Sequence, residues 1–127
     1  MLLVIGVGAP ALPAQTELEA LRTQAQSGDA DALNKLGNRY ANGQGVIRDD
    51  AQAVNYYQQA AAHGYAQAAF NLGMMYELGR GVSASETKAF EYYMTAAKQG
   101  FGPAQFNVGN MYGSGLGIKA DAFEALL

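Results

Sequence analysis

Small and apolar side chains recur along this chain at intervals of three and four residues, as in Ala68, Leu72 and Tyr76. That spacing places them on one face of an α-helix, which has about 3.6 residues per turn. The same pattern returns after 36 residues, since Leu72 is preceded by Leu36 and followed by Val108. A fixed period of this length is typical of proteins built from stacked copies of one helical unit.

Each unit is predicted to contain two helices, which we call helix A and helix B. Helix A carries the alanine, leucine and tyrosine of the first pattern, and helix B carries a second block of alanines and paired tyrosines that keeps the same period. The tyrosines are predicted to pack in the core with their hydroxyls at its rim. The predicted A helices span residues 30–42, 66–78 and 102–113, and the predicted B helices span 50–63, 86–99 and a segment that begins near Asp121.

Glycines occur at two fixed positions in the unit. Gly37, Gly73 and Gly109 lie inside the A helices, where a glycine costs about 0.5–1 kcal/mol relative to alanine, so we expect a neighbouring helix to come close there. Gly43 and Gly79 lie just past the A helices and are predicted to end them in the left-handed conformation.

The residues after these glycines complete the predicted connection between helix A and helix B. Val46, Val82 and Ile118 share one register and are predicted to insert into the core. Asp49 and Ser85 stand where a side-chain oxygen can accept from the first free backbone amides of helix B.

These residues resemble the Sel-one-like repeat, a relative of the tetratricopeptide repeat. The best-formed copy runs from Ala68 to Val82 and reads Ala-Ala-Phe-Asn-Leu-Gly-Met-Met-Tyr-Glu-Leu-Gly-Arg-Gly-Val, and the resemblance covers about residues 28 to 127. Gln52 departs from the family pattern, which prefers lysine there, and Tyr56 and Tyr92 stand where the family usually has tryptophan.

The resemblance implies an all-α fold: a right-handed α-α superhelix, or solenoid, of antiparallel helix pairs with a 36-residue repeat. Residues 29–127 would hold about 2.75 repeats, the last one truncated, which suggests a fragment of a longer protein. The resemblance also implies a non-enzymatic scaffold, adaptor or regulator that binds a partner protein or peptide.

Residues 1–15 form an uncharged and mostly apolar N-terminal segment. It resembles the apolar region and cleavage zone of a secretory signal, which predicts a periplasmic or secreted bacterial protein; the alternative is a flexible tail on a cytoplasmic protein. The segment is too short to cross a bilayer, which takes about 20 apolar residues. Thr16 and Glu19 then form a capping-box pattern, so a degenerate helix over residues 16–28 is predicted to cap the stack.

Charge and composition exclude several classes of function. The net charge is −3, and the eight Lys and Arg residues form no basic cluster, which argues against a nucleic-acid partner. The absence of cysteine excludes disulfides and thiolate metal sites. His63, the single histidine, fits the C-terminal dipole of a helix better than a metal or catalytic role. No nucleophile motif or convergent carboxylate pair is present, so we predict no catalytic residue, no metal site and no cofactor.

One strip of side chains is predicted to bind the partner. In solenoids of helix pairs the A helices line the concave side, and Asn and Met side chains there can hold an extended peptide through hydrogen bonds and adaptable apolar contacts. The alternative is a solvated face or a face that only stacks against other helices. The strip consists of Lys35, Arg39, Asn71, Met75, Asn107 and Met111.

Two other functions also fit the sequence. A peptidoglycan- or glycan-binding envelope module would need aromatic side chains exposed along the groove. The chain could also belong to a larger enzyme whose catalytic domain lies elsewhere. In addition, we predict self-association through an exposed apolar strip around Phe106 and Val108 on the third A helix.

Overall fold

The described part of the chain is built of helices alone. The computed structural model describes residues 13–114, and over this range it contains six α-helices and no strand, which confirms the all-α prediction. The predictions for the signal segment up to residue 12, for Ile118 and for a helix near Asp121 lie outside the described residues. The helices are α1 (Pro13–Gln26), α2 (Ala30–Asn42), α3 (Asp50–Ala62), α4 (Ala66–Leu78), α5 (Glu86–Lys98) and α6 (Gly102–Gly113).

The helix boundaries follow the sequence pattern closely. The A helices α2, α4 and α6 have the predicted bounds, and the B helices α3 and α5 each end one residue earlier than predicted. Helix α1 differs more, because it begins at Pro13 and therefore contains Thr16 and Glu19 within its length. The predicted capping box is thus corrected: these two residues do not form the start of the helix.

The predicted caps are confirmed at both B helices. The Asp49 carboxylate accepts a hydrogen bond from the Gln52 backbone N–H at 3.1 Å, and the Ser85 hydroxyl oxygen accepts one from the Lys88 N–H, also at 3.1 Å. Helices α2 and α4 end at glycines in the left-handed region, with φ of 67° at Gly43 and 68° at Gly79. An L side chain would be strained at such a φ, so glycine here turns the chain toward helix B at low cost.

Consecutive helices pack against one another from α1 to α6, and the core runs between them as a continuous stack. Ala68, Leu72 and Tyr76 of α4 are 0%, 0% and 8% exposed, as expected for one buried helix face. Tyr57 and Tyr93, one repeat apart on the B helices, are 4% and 0% exposed. The repeated small and aromatic residues therefore hold neighbouring helices together.

No helix within residues 13–114 has both the length and the apolar character that spanning a bilayer requires.

Candidate functional site: the A-helix face

One line of side chains runs along the mostly exposed side of the A helices, and we call its nine residues the A-helix face; within it Asn34 is buried and Phe70 is partly buried. Residues four apart lie above one another on a helix, so each helix contributes three of them. Among the described residues four large hydrophobic side chains are exposed, and three belong to this face: Met74 (39%), Leu78 (61%) and Phe106 (70%). The fourth, Ile47, lies in a loop. The A-helix face consists of Asn34, Asn38 and Asn42 on α2, Phe70, Met74 and Leu78 on α4, and Phe106, Asn110 and Ser114 at α6.

A hydrogen-bond network fixes the amide side chains between α2 and α4. The Tyr57 hydroxyl donates to Asn38 Oδ1 at 2.6 Å. Asn71 Nδ2 donates to Asn34 Oδ1 at 2.9 Å and lies 3.5 Å from Asn38 Oδ1. Burial raises the pKa of Tyr57 to about 12, so its hydroxyl stays protonated near neutral pH. The network therefore links α2, α3 and α4 through side-chain hydrogen bonds.

A small pocket of about 200 Å³ opens beside this network. Its floor is apolar, because Ala41 and Met75 are 8% and 3% exposed. Its rim combines amide groups with the Met74 side chain and the Arg80 guanidinium. The lining residues are Asn38, Ala41, Asn42, Tyr57, Asn71, Met74, Met75 and Arg80.

Aromatic contacts form the next part of the face, between α4 and α6. The Phe70 ring lies 5.4 Å from the Tyr93 ring and 5.3 Å from the Phe101 ring, measured between centroids. Phe106 occupies the position of Phe70 one repeat later and is 70% exposed.

Arg80 joins two repeats at the edge of the pocket. Its guanidinium donates to both carboxylate oxygens of Asp50, at 2.8 and 3.2 Å, and to the Ala41 carbonyl at 2.8 Å. Arg48 also donates to Asp50. The Arg80 guanidinium, followed by that of Arg48, holds the pKa of the Asp50 carboxyl well below its usual range.

Replacing Arg80 by alanine should destabilise the fold by about 1–2 kcal/mol at neutral pH, the value of a partly exposed charge-assisted pair. Because the Asp50 pKa is lower in the folded state, the pair stabilises the fold above the unfolded pKa of about 4 and loses this effect as the pH falls. The gap between wild type and variant should therefore shrink as the pH is lowered from about 5 to about 2. Urea unfolding followed by circular dichroism measures it, and a gap that does not depend on pH would contradict the role given to Asp50.

The structure does not bring the six residues of the predicted strip together on one surface. Met75 and Met111 are 3% and 6% exposed and lie in the core, which corrects their expected exposure. Asn71 is half-buried in the amide network, and Asn107 is also half-buried.

The two basic residues of that strip are engaged in ion pairs. The Lys35 ammonium lies 2.9 Å from the Asp31 carboxylate, and the Arg39 guanidinium lies 3.1 Å from that of Glu17. On α2 Lys35 is exposed and its neighbour Asn34 is buried, so the exposed row differs between the A helices. Partner binding by the strip stays a prediction.

The apolar strip predicted on α6 is only half correct. Phe106 is exposed, but Val108 is 0% exposed because it packs in the core with residues of α5. Self-association through Phe106 stays a prediction.

Among residues 13–114, no three His, Asp or Glu side chains come together in a group that could hold a metal ion.

Stacked helix pairs with one exposed line of side chains define a helical-repeat protein of the solenoid class. Sel1 repeats match three consecutive segments, residues 30–65, 66–101 and 102–127, so the chain belongs to the Sel1 repeat family. Proteins of this family are generally protein-interaction scaffolds and are typically non-catalytic.

Solved structures of Sel1 repeat proteins have the same fold, which confirms the predicted solenoid class. A Sel1 repeat protein from Oxalobacter formigenes is 33% identical with a TM-score of 0.73, and the match covers 78% of this chain and 40% of that one. The protective antigen c5321 of uropathogenic Escherichia coli, described as displaying an SLR fold, is 40% identical with a TM-score of 0.75, covering 77% of this chain and 21% of that one. Cysteine rich protein B of Helicobacter pylori is 25% identical with a TM-score of 0.70, covering 73% and 70%.

The chain therefore spans less than half the length of the first two of these proteins. No curated protein matches it in sequence.

Proposed function

We propose that this chain is a non-enzymatic interaction module that binds a segment of a partner protein on the A-helix face. The observation that carries the proposal is the concentration of exposed apolar side chains there: Met74, Leu78 and Phe106. Exposed apolar groups that share one face and are flanked by polar groups are typical of protein interaction sites.

The face offers two kinds of contact side by side. On α2 it presents the amides of Asn38 and Asn42, which can donate and accept hydrogen bonds. On α4 it presents Met74 and Leu78, and a flexible methionine adapts to irregular apolar surfaces. A partner can therefore be oriented by hydrogen bonds on α2 while it buries apolar side chains on α4 and α6.

Charges near the face are largely neutralised within the protein. Lys35 is paired with Asp31, and Arg39 with Glu17. Arg80 is paired with Asp50. Because these charges are paired within the protein, they would attract a strongly charged partner only weakly over long distances. We therefore expect the affinity to depend on apolar contact and to vary weakly with salt concentration.

The combined change Met74→Glu and Phe106→Glu should abolish binding while the fold is retained, because both side chains already reach solvent. Burying even one new carboxylate against an apolar partner costs far more than the roughly 1.4 kcal/mol that corresponds to a tenfold loss of affinity. The measurement is quantitative affinity capture from an envelope extract and from a cytosolic extract, with immobilised wild type and variant compared protein by protein.

The matched control is Ile47→Glu, which alters a 91% exposed hydrophobic residue that lies off the face. Proteins bound by wild type and by the control but lost with the double variant would support the proposal. If all three baits retain the same proteins in the same amounts, the A-helix face is not the binding surface.

A further inference from the structure

A second pocket, of about 300 Å³, lies between α1, α2 and α3 and shares no residue with the A-helix face. Its floor is apolar, because Leu33 and Leu36 of α2 are 2% and 1% exposed. Tyr56 of α3 also lines the pocket, and its ring stacks on the Tyr40 ring with the centroids 5.6 Å apart, which holds that wall in place. The pocket is therefore an apolar recess of roughly the 300 Å³ at which small-molecule sites begin.

A cation stands at the rim of this pocket. Of the described residues in the lining, Arg22 of α1 alone is charged, and its side chain is exposed. Within residues 16–114 no ion pair involves Arg22, whereas the other three arginines of that range each pair with a carboxylate: Arg39, Arg48 and Arg80. The guanidinium of Arg22 is thus available to an anionic group that comes from outside the chain.

The same pocket recurs one repeat later without the cation. Each described lining residue has its counterpart 36 positions further on, in a pocket of about 320 Å³ between α3, α4 and α5. The counterpart of the stacked tyrosine is Tyr92, whose ring lies 5.5 Å from that of Tyr76. The counterpart of Arg22 is Gln58, and the described lining of this second pocket holds no charged residue. The recess is therefore a property of the repeat, and the charge at its rim belongs to the first copy.

The two parts of the first pocket define the chemistry of a ligand. A guanidinium donates two parallel hydrogen bonds to a carboxylate, a group that its planar shape matches. The amide side chains of Gln26 and Gln59 lie beside it in the lining and can also donate. The floor accepts only apolar atoms, because a polar group buried there would lose its hydrogen bonds to water.

We propose that the pocket between α1, α2 and α3 binds a small monocarboxylic acid, with its carboxylate on Arg22 and its hydrocarbon part against Leu33 and Leu36. The C-terminus of a polypeptide carries the same group, but most of a polypeptide would lie outside a recess of this size, whereas a short aliphatic acid fits within it. The inference does not rest on the A-helix face and goes beyond the proposed function.

Hexanoate and hexan-1-ol are suitable probes, because they share a hydrocarbon chain and differ in charge. Backbone amide chemical shifts of the isotope-labelled chain are followed as each is added at constant ionic strength. Hexanoate should cause saturable changes at residues 22–26, 33–36 and 56–59, with an affinity about tenfold or more above that of hexan-1-ol. Equal affinities, or changes confined to other residues, would overturn the proposal.

The decisive variant is Arg22→Gln, which gives the first pocket the rim of the second. Its affinity for hexanoate should fall about tenfold or more, while its affinity for hexan-1-ol and its thermal stability stay the same. The matched control is Lys98→Gln, which removes one exposed positive charge at the end of α5, outside the pocket. An equal loss with both variants would show that hexanoate responds to net charge, and the proposal would be wrong.

The second pocket permits a gain-of-function test. Gln58→Arg supplies the missing guanidinium, so the variant should bind a second equivalent of hexanoate and show further changes at residues 58–62 and 92–95. A variant that still binds one equivalent would contradict the claim that the recess and a guanidinium together suffice.

A short peptide that ends in leucine, with its C-terminus free or amidated, tests the other source of a carboxylate. Tighter binding of the free-acid peptide than of hexanoate at this pocket would overturn the assignment to a small acid. Weaker binding of that peptide would support it. None of these results bears on the affinity capture with the A-helix face variants, so the proposed function and this inference can fail separately.

Discussion

Replacing Tyr93 by alanine is expected to destabilise the protein by about 3–5 kcal/mol, the cost of removing a large buried aromatic side chain. Tyr93 is 0% exposed and is the largest fully buried side chain of the described residues. Its ring packs against Phe70, and its hydroxyl donates to the Glu77 carboxylate at 2.7 Å. The variant would lose these two contacts between α4 and α5. Urea unfolding followed by far-ultraviolet circular dichroism measures the loss.

Tyr93→Phe is the control for this prediction. It keeps the ring and removes only the bond to Glu77, so it should cost about 0.5–1.5 kcal/mol. A loss below about 1 kcal/mol for Tyr93→Ala would mean that the stack does not depend on its central tyrosine, contrary to what its burial predicts.

Replacing Gly73 by alanine is expected to destabilise the protein, although alanine is the better helix former. A Cβ at Gly73 would lie 2.5 Å from the Tyr93 ring, closer than atoms in contact allow, and Tyr93 is fully buried. Overpacking of this kind costs about 1–3 kcal/mol. Gly37 has the same relation to the Tyr57 ring, also at 2.5 Å, so the close approach is a property of the repeat.

Gly109 offers the same substitution at the same register without the obstacle. No described atom lies within 4 Å of the position that a Cβ at Gly109 would occupy. Gly109→Ala should therefore stabilise the protein by up to about 1 kcal/mol through helix propensity. Thermal unfolding of both variants is the test: opposite signs are expected, and a Gly73→Ala variant as stable as Gly109→Ala would contradict the packing described for α4 and α5.

The fold could be predicted in detail from the 36-residue period. Repetition reveals which glycines, alanines and tyrosines share a role, and helix limits follow from the caps at Asp49 and Ser85 and the glycines at 43 and 79. Helix caps and helix-ending glycines depend on residues close together in the sequence, so they can be predicted without knowing which distant residues are in contact. The start of α1 could not be predicted in the same way, because its repeat is degenerate and Thr16 offers a cap pattern that the chain does not use.

The exposed side of the A helices could be predicted only approximately. Apolar periodicity shows that Met74 and Met75 both lie on α4, but it does not show which of them the neighbouring repeat covers. Met75 packs against Leu72 and Tyr57 in the core, while Met74 remains exposed. On helices where alanine and glycine fill much of the surface, a shift of one residue is not visible in the sequence pattern alone.

Contacts that occur at only one junction could not be predicted. Arg80 bonds to Asp50, 30 residues earlier, but its equivalents in the neighbouring repeats are Gln44 and Leu116, so the period gives no sign of the pair. The hydrogen bond from Tyr57 to Asn38 could not be predicted from the period either, because the position of Asn38 holds Met74 one repeat later and Asn110 two repeats later.

The central claim is that the partner binds on the A-helix face and not on the B helices. Backbone amide chemical shifts of the isotope-labelled chain, recorded with and without a saturating amount of a partner recovered by the affinity capture, test it most directly. We expect the largest changes at residues 38–42, 71–78 and 106–110, with little change along the exposed side of α3 from Gln52 to Gln59. Changes concentrated on α3 and α5 would contradict the assignment of the binding surface.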